Sequence, residues 1–395
     1  AAGGGGAGRG RGVCWGRAAR LGRAAGTADM ASREVTALAA AKINLALRVG
    51  SRRADGYHPL NSLFHAVDLF ERVAVGPAGT ARDELAVTGL GADLVPSDQS
   101  NLALRAAALL RREYGPRPPV RLSIDKAIPV AGGLAGGSAD AAAALVALNA
   151  WWGLGLGSAR LIELAAELGS DVPFAVLGGN AIGQGRGEIL RPLPAPGALE
   201  WVLVTSAEGL STPQVFARFD AMSAAIDNSF QLVSDSARRP IKRSAPGAAP
   251  GRDSGAATDS ASGAGSGTDS RAGVESTADA GPGGGLAPPP IPEELLAGLA
   301  AGDPAQIGAA LANDLQAAAL SLRPDLGHVI GQALAAGALG AVVSGSGPTV
   351  ACLAASAAEA ERLAAALRQR LADSRPPGAV LRATGAAAGA TVQPV

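Results

Sequence analysis

Between Pro129 and Ala142 the chain reads PVAGGLAGGSADAA, with glycines at 132, 133, 136 and 137 ahead of a run of alanines. A glycine-rich loop that follows a strand and opens a helix presents backbone N–H groups at the positive end of the helix dipole, which together favour a phosphate. Glycine matters because a side chain would hold the backbone away from the anion. The loop carries no G-K-[ST] and does not fit G-x-G-x-x-G, so it is neither a Walker loop nor a dinucleotide fingerprint. The competing reading is a plain turn, with Ser138 as helix N-cap and Asp140 as a first-turn acid complementing the dipole. Other candidates for chemistry are Lys42 and Asn44, two apart; Asp171 in GSDVP; the adjacent pair Tyr57 and His58; Thr212 and Phe216 in STPQVF; and Asn101 in SNLALRAA. Each has an ordinary alternative: a solvated strand lysine, a helix cap at Asp171 or Asn101, a core aromatic, a hydrogen-bonded histidine. A second glycine cluster, SGSGPT at 344–349, is by itself a common kind of turn.

These residues need elements to hold them. AAAKINLALRVG (39–50) alternates, which predicts a strand with Ile43, Leu45, Leu47 and Val49 on one buried face and Lys42, Asn44 and Arg48 on the other. Further strands are expected at 62–75, 83–89, 120–128, 201–206 and 378–384. Helices are expected at 100–115 with Ser100 as N-cap, at 138–151, at 158–168 ending on Gly169, and at 356–373, with amphipathic segments over 292–336. Strand-rich at first and then mixed, the order suits an α+β fold. No internal repeat is visible.

With 395 residues the chain can bury a large core, and 34 basic residues against 34 acidic leave no net field that would argue for nucleic acid or an anionic membrane. The two cysteines, Cys14 and Cys352, form neither a disulfide framework nor a metal-ligand spacing, which points to a reducing compartment, the cytoplasm. No apolar run is long enough for a transmembrane helix. Residues 1–32 are read as a disordered or spurious leader, arginine-rich and without an apolar signal core. Residues 235–290 collapse to Gly, Ala, Ser, Asp and Pro and are read as a disordered insertion.

Taken together, AAAKINLAL, the glycine loop and SGSGPT resemble the three motifs of the GHMP kinase superfamily, small-molecule kinases with a two-lobed α+β fold. That resemblance implies an N-terminal half like a ribosomal-protein fold, here 33–198, and a ferredoxin-like α/β C-terminal half, here 199–390. The stretch KINLALRVGSRRADGYHPLNSLFHAVDL (42–69) and GSDVPFAVLGGNAIGQGRGE (169–188) are similar to the branch that phosphorylates a cytidine-diphosphate-linked methylerythritol in the non-mevalonate route to isopentenyl diphosphate.

The resemblance covers about 33–220 and 292–385. It implies transfer of the ATP γ-phosphate to the substrate's 2-hydroxyl, with Mg2+. By likeness to the motifs, Lys42 and Asp171 are the catalytic pair. Pro129, Val130, Ala131, Gly132, Gly133, Leu134, Ala135, Gly136, Gly137 and Ser138 hold ATP, with Asn101 near adenine. Asn44, Tyr57, His58, Thr212 and Phe216 form the substrate side, Tyr57 stacking on cytosine and His58 bonding it. Ala139 stands where the motif has a second serine, so the phosphate and metal contact falls to Ser138 alone. Expected partners are the small molecule only, with no nucleic acid and no membrane, in a monomer or homodimer. Mevalonate- or homoserine-type kinases are the nearest alternative; an RNA-binding protein is the alternative of another class.

Overall fold

The computed structural model describes residues 34–194, 197–238, 286–372 and 377–394. The leader expected at 1–32, and the expected insertion from 239 to 285, lie outside the described residues. In chain order the N-terminal half holds β1 (Val35–Val49), β2 (Leu60–Pro77), β3 (Glu84–Gly89), α1 (Leu102–Tyr114), β4 (Val120–Lys126), α2 (Gly136–Trp151), α3 (Ser158–Leu168), α4 (Val172–Leu177), β5 (Asn180–Gly185) and β6 (Ile189–Leu193). Then come β7 (Leu199–Ser206), α5 (Thr212–Arg238), α6 (Glu293–Ala301), α7 (Pro304–Ala309), β8 (Ala312–Asn313), α8 (Gln316–Leu322), α9 (Asp325–Ala335), β9 (Gly340–Val343), β10 (Val350–Ala354), α10 (Ala357–Arg370), β11 (Pro377–Gly385) and β12 (Thr391–Val392).

Among the described residues the strands join one sheet whose main path runs β12-β1-β2-β11-β7-β10-β9, with β3, β4, β5, β6 and β8 attached at its sides. The two halves of that path meet at a single register pair, Gly385 with Val67. Elements that fall within 199–390 nevertheless serve the first half. β8 pairs with β1, Gly179 and Ala387 bond through backbone, Ala387 N–H donates to Ala66, and Ala390 N–H donates to Ala175. β12, just beyond, adds to the outer edge of β1.

α2 explains why alanine dominates its sequence. It is buried all round from Gly136 to Leu148 apart from its exposed or half-buried Gly137 and Ser138, and it packs against β1, β2, α1 and α4; small side chains let it lie close to all four. Four expectations shift at this level. The cap of α1 is Asn101, whose side chain accepts from Ala103 N–H, rather than Ser100. α2 begins at Gly136, so Ser138 lies inside its first turn and is not the N-cap. β1 does not keep one apolar face: a register shift between Asn44 and Ala46 leaves Ile43 and Leu45 in the core under α2 while Leu47 and Val49 join the core of the second half. A bulge carries a strand's side chains to the opposite face in this way. α5 runs to Arg238, past the start expected for the insertion at 235.

Candidate active site

A cleft of about 690 Å3 opens between the halves. One end is built by the glycine loop. Ala131, Gly132, Gly133, Ala135, Gly136, Gly137 and Ser138 line it, whereas Pro129, Val130 and Leu134 do not; Leu134 and Pro129 are buried in the protein. The loop's shape is fixed from three sides. Lys42 N–H donates to Leu134 O at 3.1 Å, and Thr349 N–H to Gly132 O at 3.2 Å. Ser344 Oγ donates to Gly133 O at 3.0 Å. A Cβ on Gly133, which has φ +78, would meet Ser344 O at 2.3 Å, so the SGSGPT turn seats directly on a glycine. Ala131 and Ala135 hold positive φ of 53 and 61 without being glycine, a strained geometry that a well-braced surround sustains.

Behind the loop lies a buried charge cluster that the spacing of the sequence does not reveal. Lys126, at the end of β4, contacts Glu71 of β2 at 2.5 Å and Asp140 of α2 at 2.7 Å. Glu71 also accepts from Ala127 and Ile128 N–H, the residues that lead into the loop. Asp140 is therefore not a dipole-facing acid but one leg of a clamp joining a strand, the loop entry and the helix that follows. Two carboxylates share one ammonium in a dry site: burial first, and then the charge of Asp140, push Glu71 up to about 7, and burial pushes Asp140 up as well.

Lys42 and Asp171 are brought together in the cleft. The lysine is 6% exposed; its Nζ donates to Asn44 Oδ1 at 2.8 Å and Gly133 O at 3.0 Å, and stands 4.0 Å from Asp171 Oδ2. Burial holds Lys42 below the usual lysine range, partly opposed by the Asp171 charge. Asn44 is anchored in turn by donating to Ser62 Oγ at 2.7 Å. Asp171 sits at the start of α4 but its side chain makes no capping bond, which leaves the carboxylate for the cleft.

The other end of the cleft is aromatic and basic. Tyr57 is 53% exposed, with the Arg186 guanidinium 5.1 Å over its ring. His58 stacks on Phe216 with centroids 5.0 Å apart; its Nδ1 lies 2.9 Å from Gly50 O and its Nε2 3.3 Å from Asp220. Thr212 bonds Ser346 hydroxyl to hydroxyl at 2.8 Å, tying the start of α5 to the second glycine turn. Gly345 and Ser346 line the cleft, as do Arg52, Arg186, Ser170 and Asp220, four residues that sequence reasoning passes over. Asn101 stays outside: it is 5% exposed, and its amide is spent on Ala103 N–H and Pro96 O.

The cleft can therefore hold a polyphosphate at one end, a planar group at the other, and a lysine–carboxylate pair between. Residues 101–179 match the GHMP kinases N terminal domain and residues 295–373 the GHMP kinases C terminal domain, which sets the class as that of the GHMP kinases. A 4-diphosphocytidyl-2-C-methyl-D-erythritol kinase from Thermobifida fusca is 44% identical over 340 residues, covering 85% of this chain and 91% of the relative. One from Streptomyces coelicolor is 41% identical over 360 residues, covering 91% and 99%. A crystal structure of 4-(cytidine 5'-diphospho)-2C-methyl-D-erythritol kinase superposes with a TM-score of 0.59 at 30% identity, over 88% of this chain and 98% of the other. A homoserine kinase from Cytophaga hutchinsonii, at 17% identity, gives 0.60 and shares the fold. The chain belongs to the 4-diphosphocytidyl-2-C-methyl-D-erythritol kinase family. Among its described residues no helix is long and apolar enough to cross a membrane.

Proposed function

We propose that this enzyme transfers the γ-phosphate of ATP to the 2-hydroxyl of 4-diphosphocytidyl-2-C-methyl-D-erythritol, in the cytoplasm and in the non-mevalonate route to isopentenyl diphosphate. The observation that carries the reading is the continuity of one cleft, from the glycine loop through Lys42 and Asp171 to Tyr57, His58 and Phe216. Phosphoryl transfer asks mainly for positioning and charge neutralisation. Backbone N–H groups of the loop receive the phosphates, and Lys42, fixed by Asn44 and Gly133, offers its ammonium to the γ-phosphate and the reacting oxygen. Asp171, 4.0 Å away, takes or orients the hydroxyl proton. Arg52 and Arg186 supply positive charge to the substrate's own diphosphate, and Tyr57 offers a π face to the base.

Magnesium belongs to this reading. Among the described residues no cluster of three or more His, Cys, Asp or Glu could hold a metal. The residues fit instead a hard cation held chiefly by phosphate oxygens, with the Ser138 hydroxyl as the protein's oxygen; Asp140 is committed to Lys126. Such an ion would neutralise charge on the ATP phosphates.

ADP release with magnesium ATP tests the reading, with the cytidyl substrate run beside mevalonate and homoserine. Turnover of the cytidyl substrate alone is expected, falling about 100- to 10,000-fold in Lys42→Ala and in Asp171→Ala. Turnover of another alcohol would keep the fold and discard the cytidine end.

A further inference from the structure

The run ANDLQ at 312–316 sets Asn313, Asp314 and Gln316 around one leucine, on a piece of chain too short to show a period. In the fold all three side chains grip backbone. Asp314 Oδ2 accepts from Val49 N–H at 2.9 Å and Oδ1 pairs with Arg48 at 3.1 Å, which ties the end of β8 to β1. Gln316 Oε1 accepts from Val343 N–H at 3.0 Å. Asn313 does the most: Nδ2 donates to Val343 O at 2.7 Å and to Gly345 O at 2.8 Å, while Oδ1 accepts from Leu315 N–H at 2.9 Å. Both N–H bonds of the amide and its oxygen are in use, and no other side chain of this length offers that set.

The two carbonyls that Asn313 holds lie on either side of Ser344, where the SGSGPT turn begins. Ser344 Oγ donates to Gly133 O at 3.0 Å, the same carbonyl that accepts from Lys42 Nζ at 3.0 Å. Gly345 is packed onto the lysine itself: at φ +58, a Cβ added there would lie 3.1 Å from Lys42 Nζ and 3.4 Å from Asn44 Oδ1. A turn made of serine and glycine has little side-chain bulk to wedge it in place, and its glycines free the backbone. Its position is therefore set from outside, by the residue that bonds both peptides next to Ser344. Asn313 is not part of the cleft wall, whereas Leu315, Gly345 and Ser346 line it.

Resting on the proposed phosphoryl transfer, we propose that Asn313 is a positioning residue for that reaction, holding the second glycine turn so that Ser344 and Gly345 set the place of the Lys42 ammonium. Transfer is sensitive to displacements of roughly 1 Å at the reacting groups. Aspartate has nearly the shape of asparagine but no N–H, so at position 313 it would turn a carboxylate onto two carbonyl oxygens and push the turn off Gly133. The aromatic end of the cleft is not touched by Asn313. The effect belongs to the chemical step rather than to binding.

The test uses the full chain as wild type, Asn313→Asp, Asp314→Ala, Ser344→Ala and the double variant of Asn313→Asp with Ser344→Ala. Single-turnover transfer at saturating magnesium ATP and cytidyl substrate is measured with KM for each, below the thermal melt of every variant. In Asn313→Asp the transfer rate is expected to fall about 10- to 100-fold with both KM values within about threefold. Asn313→Ala, which removes the bonds without adding a charge, carries the same expectation should the aspartate variant not fold. Asp314→Ala cuts the neighbouring anchor to β1 and should lower the melting temperature while leaving the rate within about twofold. Adding Asn313→Asp to Ser344→Ala should slow transfer less than adding it to the wild type, because the two residues act on one contact. A rate unchanged in Asn313→Asp, an equal fall in Asp314→Ala, or losses that simply multiply in the double variant would overturn the proposal, since each makes Asn313 an anchor of the fold alone. Wild-type enzyme that transfers no phosphate to the cytidyl substrate would remove the proposed function itself, and this inference with it; that measurement stands apart from those on the variants.

Discussion

Lys42 joins two parts of the molecule with one ammonium group. Its bonds to Asn44 and to Gly133 O fix strand and loop to each other, so its replacement removes a charge and also loosens the glycine loop. That Lys42 and Asp171 lie together was expected from the likeness of AAKIN and GSDVP to family motifs, since by residue type alone each has an ordinary reading as a strand lysine or a helix cap. The surroundings of His58 were not: its partner Asp220 lies far along the chain, and only the docking of α5 against the DGYH loop brings them together. Tyr57 makes a cleaner prediction. It is exposed in the cleft with Arg186 over one face, and stacking of a base on such a ring contributes about 1–3 kcal/mol. Tyr57→Ala should therefore raise KM for the cytidyl substrate about 10- to 100-fold and leave KM for ATP within about twofold, measured by steady-state kinetics.

At the scale of elements, the glycine loop and its clamp set the outcome. Ala131 and Ala135 are held at positive φ, a conformation that costs an alanine about 1–2 kcal/mol relative to glycine. Replacing either by glycine should stabilise the fold by about 1 kcal/mol, offset in part by the freer unfolded chain. KM for ATP should rise at the same time, because the loop is less fixed before ATP arrives; a thermal melt and a titration of ATP check the two effects.

The Glu71–Lys126–Asp140 cluster predicts something larger. Lys126→Met leaves two buried carboxylates without their cation and should cost about 3–5 kcal/mol in denaturant unfolding, whereas Asp140→Asn, which removes the surplus charge, should cost far less. Sequence reading finds α1, α2, α3 and α10 and the strands β1 to β4, β7 and β11, because periodicity and caps are local signals, but it gives no helix at α4 or at the 27-residue α5. It misplaces Asp140 because nothing in SADAA indicates that a lysine from β4 and a glutamate from β2 meet there. β8, two residues long, is invisible for the same reason: its pairing with β1 is a tertiary fact.

On the scale of the whole molecule, the seam between the halves rests on Gly385 and Val67, and His65 sits beside it. The ring is fully buried; Nδ1 bonds Asn180 Oδ1 at 2.6 Å, while Nε2 has no partner and a Cβ on Gly385 would lie 1.9 Å from it. Burial pulls His65 down to about 4, with the Asn180 bond a smaller opposing effect. The folded form thus resists a proton that the unfolded chain binds near 6.5. Stability attributable to neutral His65 is fully present above about 6.5 and is lost as pH falls from there to about 4, by about 3 kcal/mol in all. Glu71 acts in the opposite sense, its raised pKa making stability fall as pH rises through about 4.5 to 7. His65→Gln should therefore remove the loss toward acid pH and leave the Glu71 slope, with thermal melts from pH 4 to 8 showing stability falling between about 4.5 and 7. The order of elements suggested an α+β fold, and the two lobes followed only from the likeness of the motifs; the seam was not legible, because a histidine in NSLFHAV looks like any strand residue.

The strap of residues 386–393 has a consequence for how the protein is made. These residues complete the edge of β1 and close over α4, where Asp171 sits, yet a ribosome releases them after the whole C-terminal half. The first half emerges with an open strand edge and α4 unsupported while roughly two hundred more residues are synthesised. During that interval the bare β1 edge is a template for pairing with a neighbouring nascent chain, so a chaperone's hold on the emerging half, or slow synthesis of the half still to come, bears directly on how much active enzyme a cell obtains.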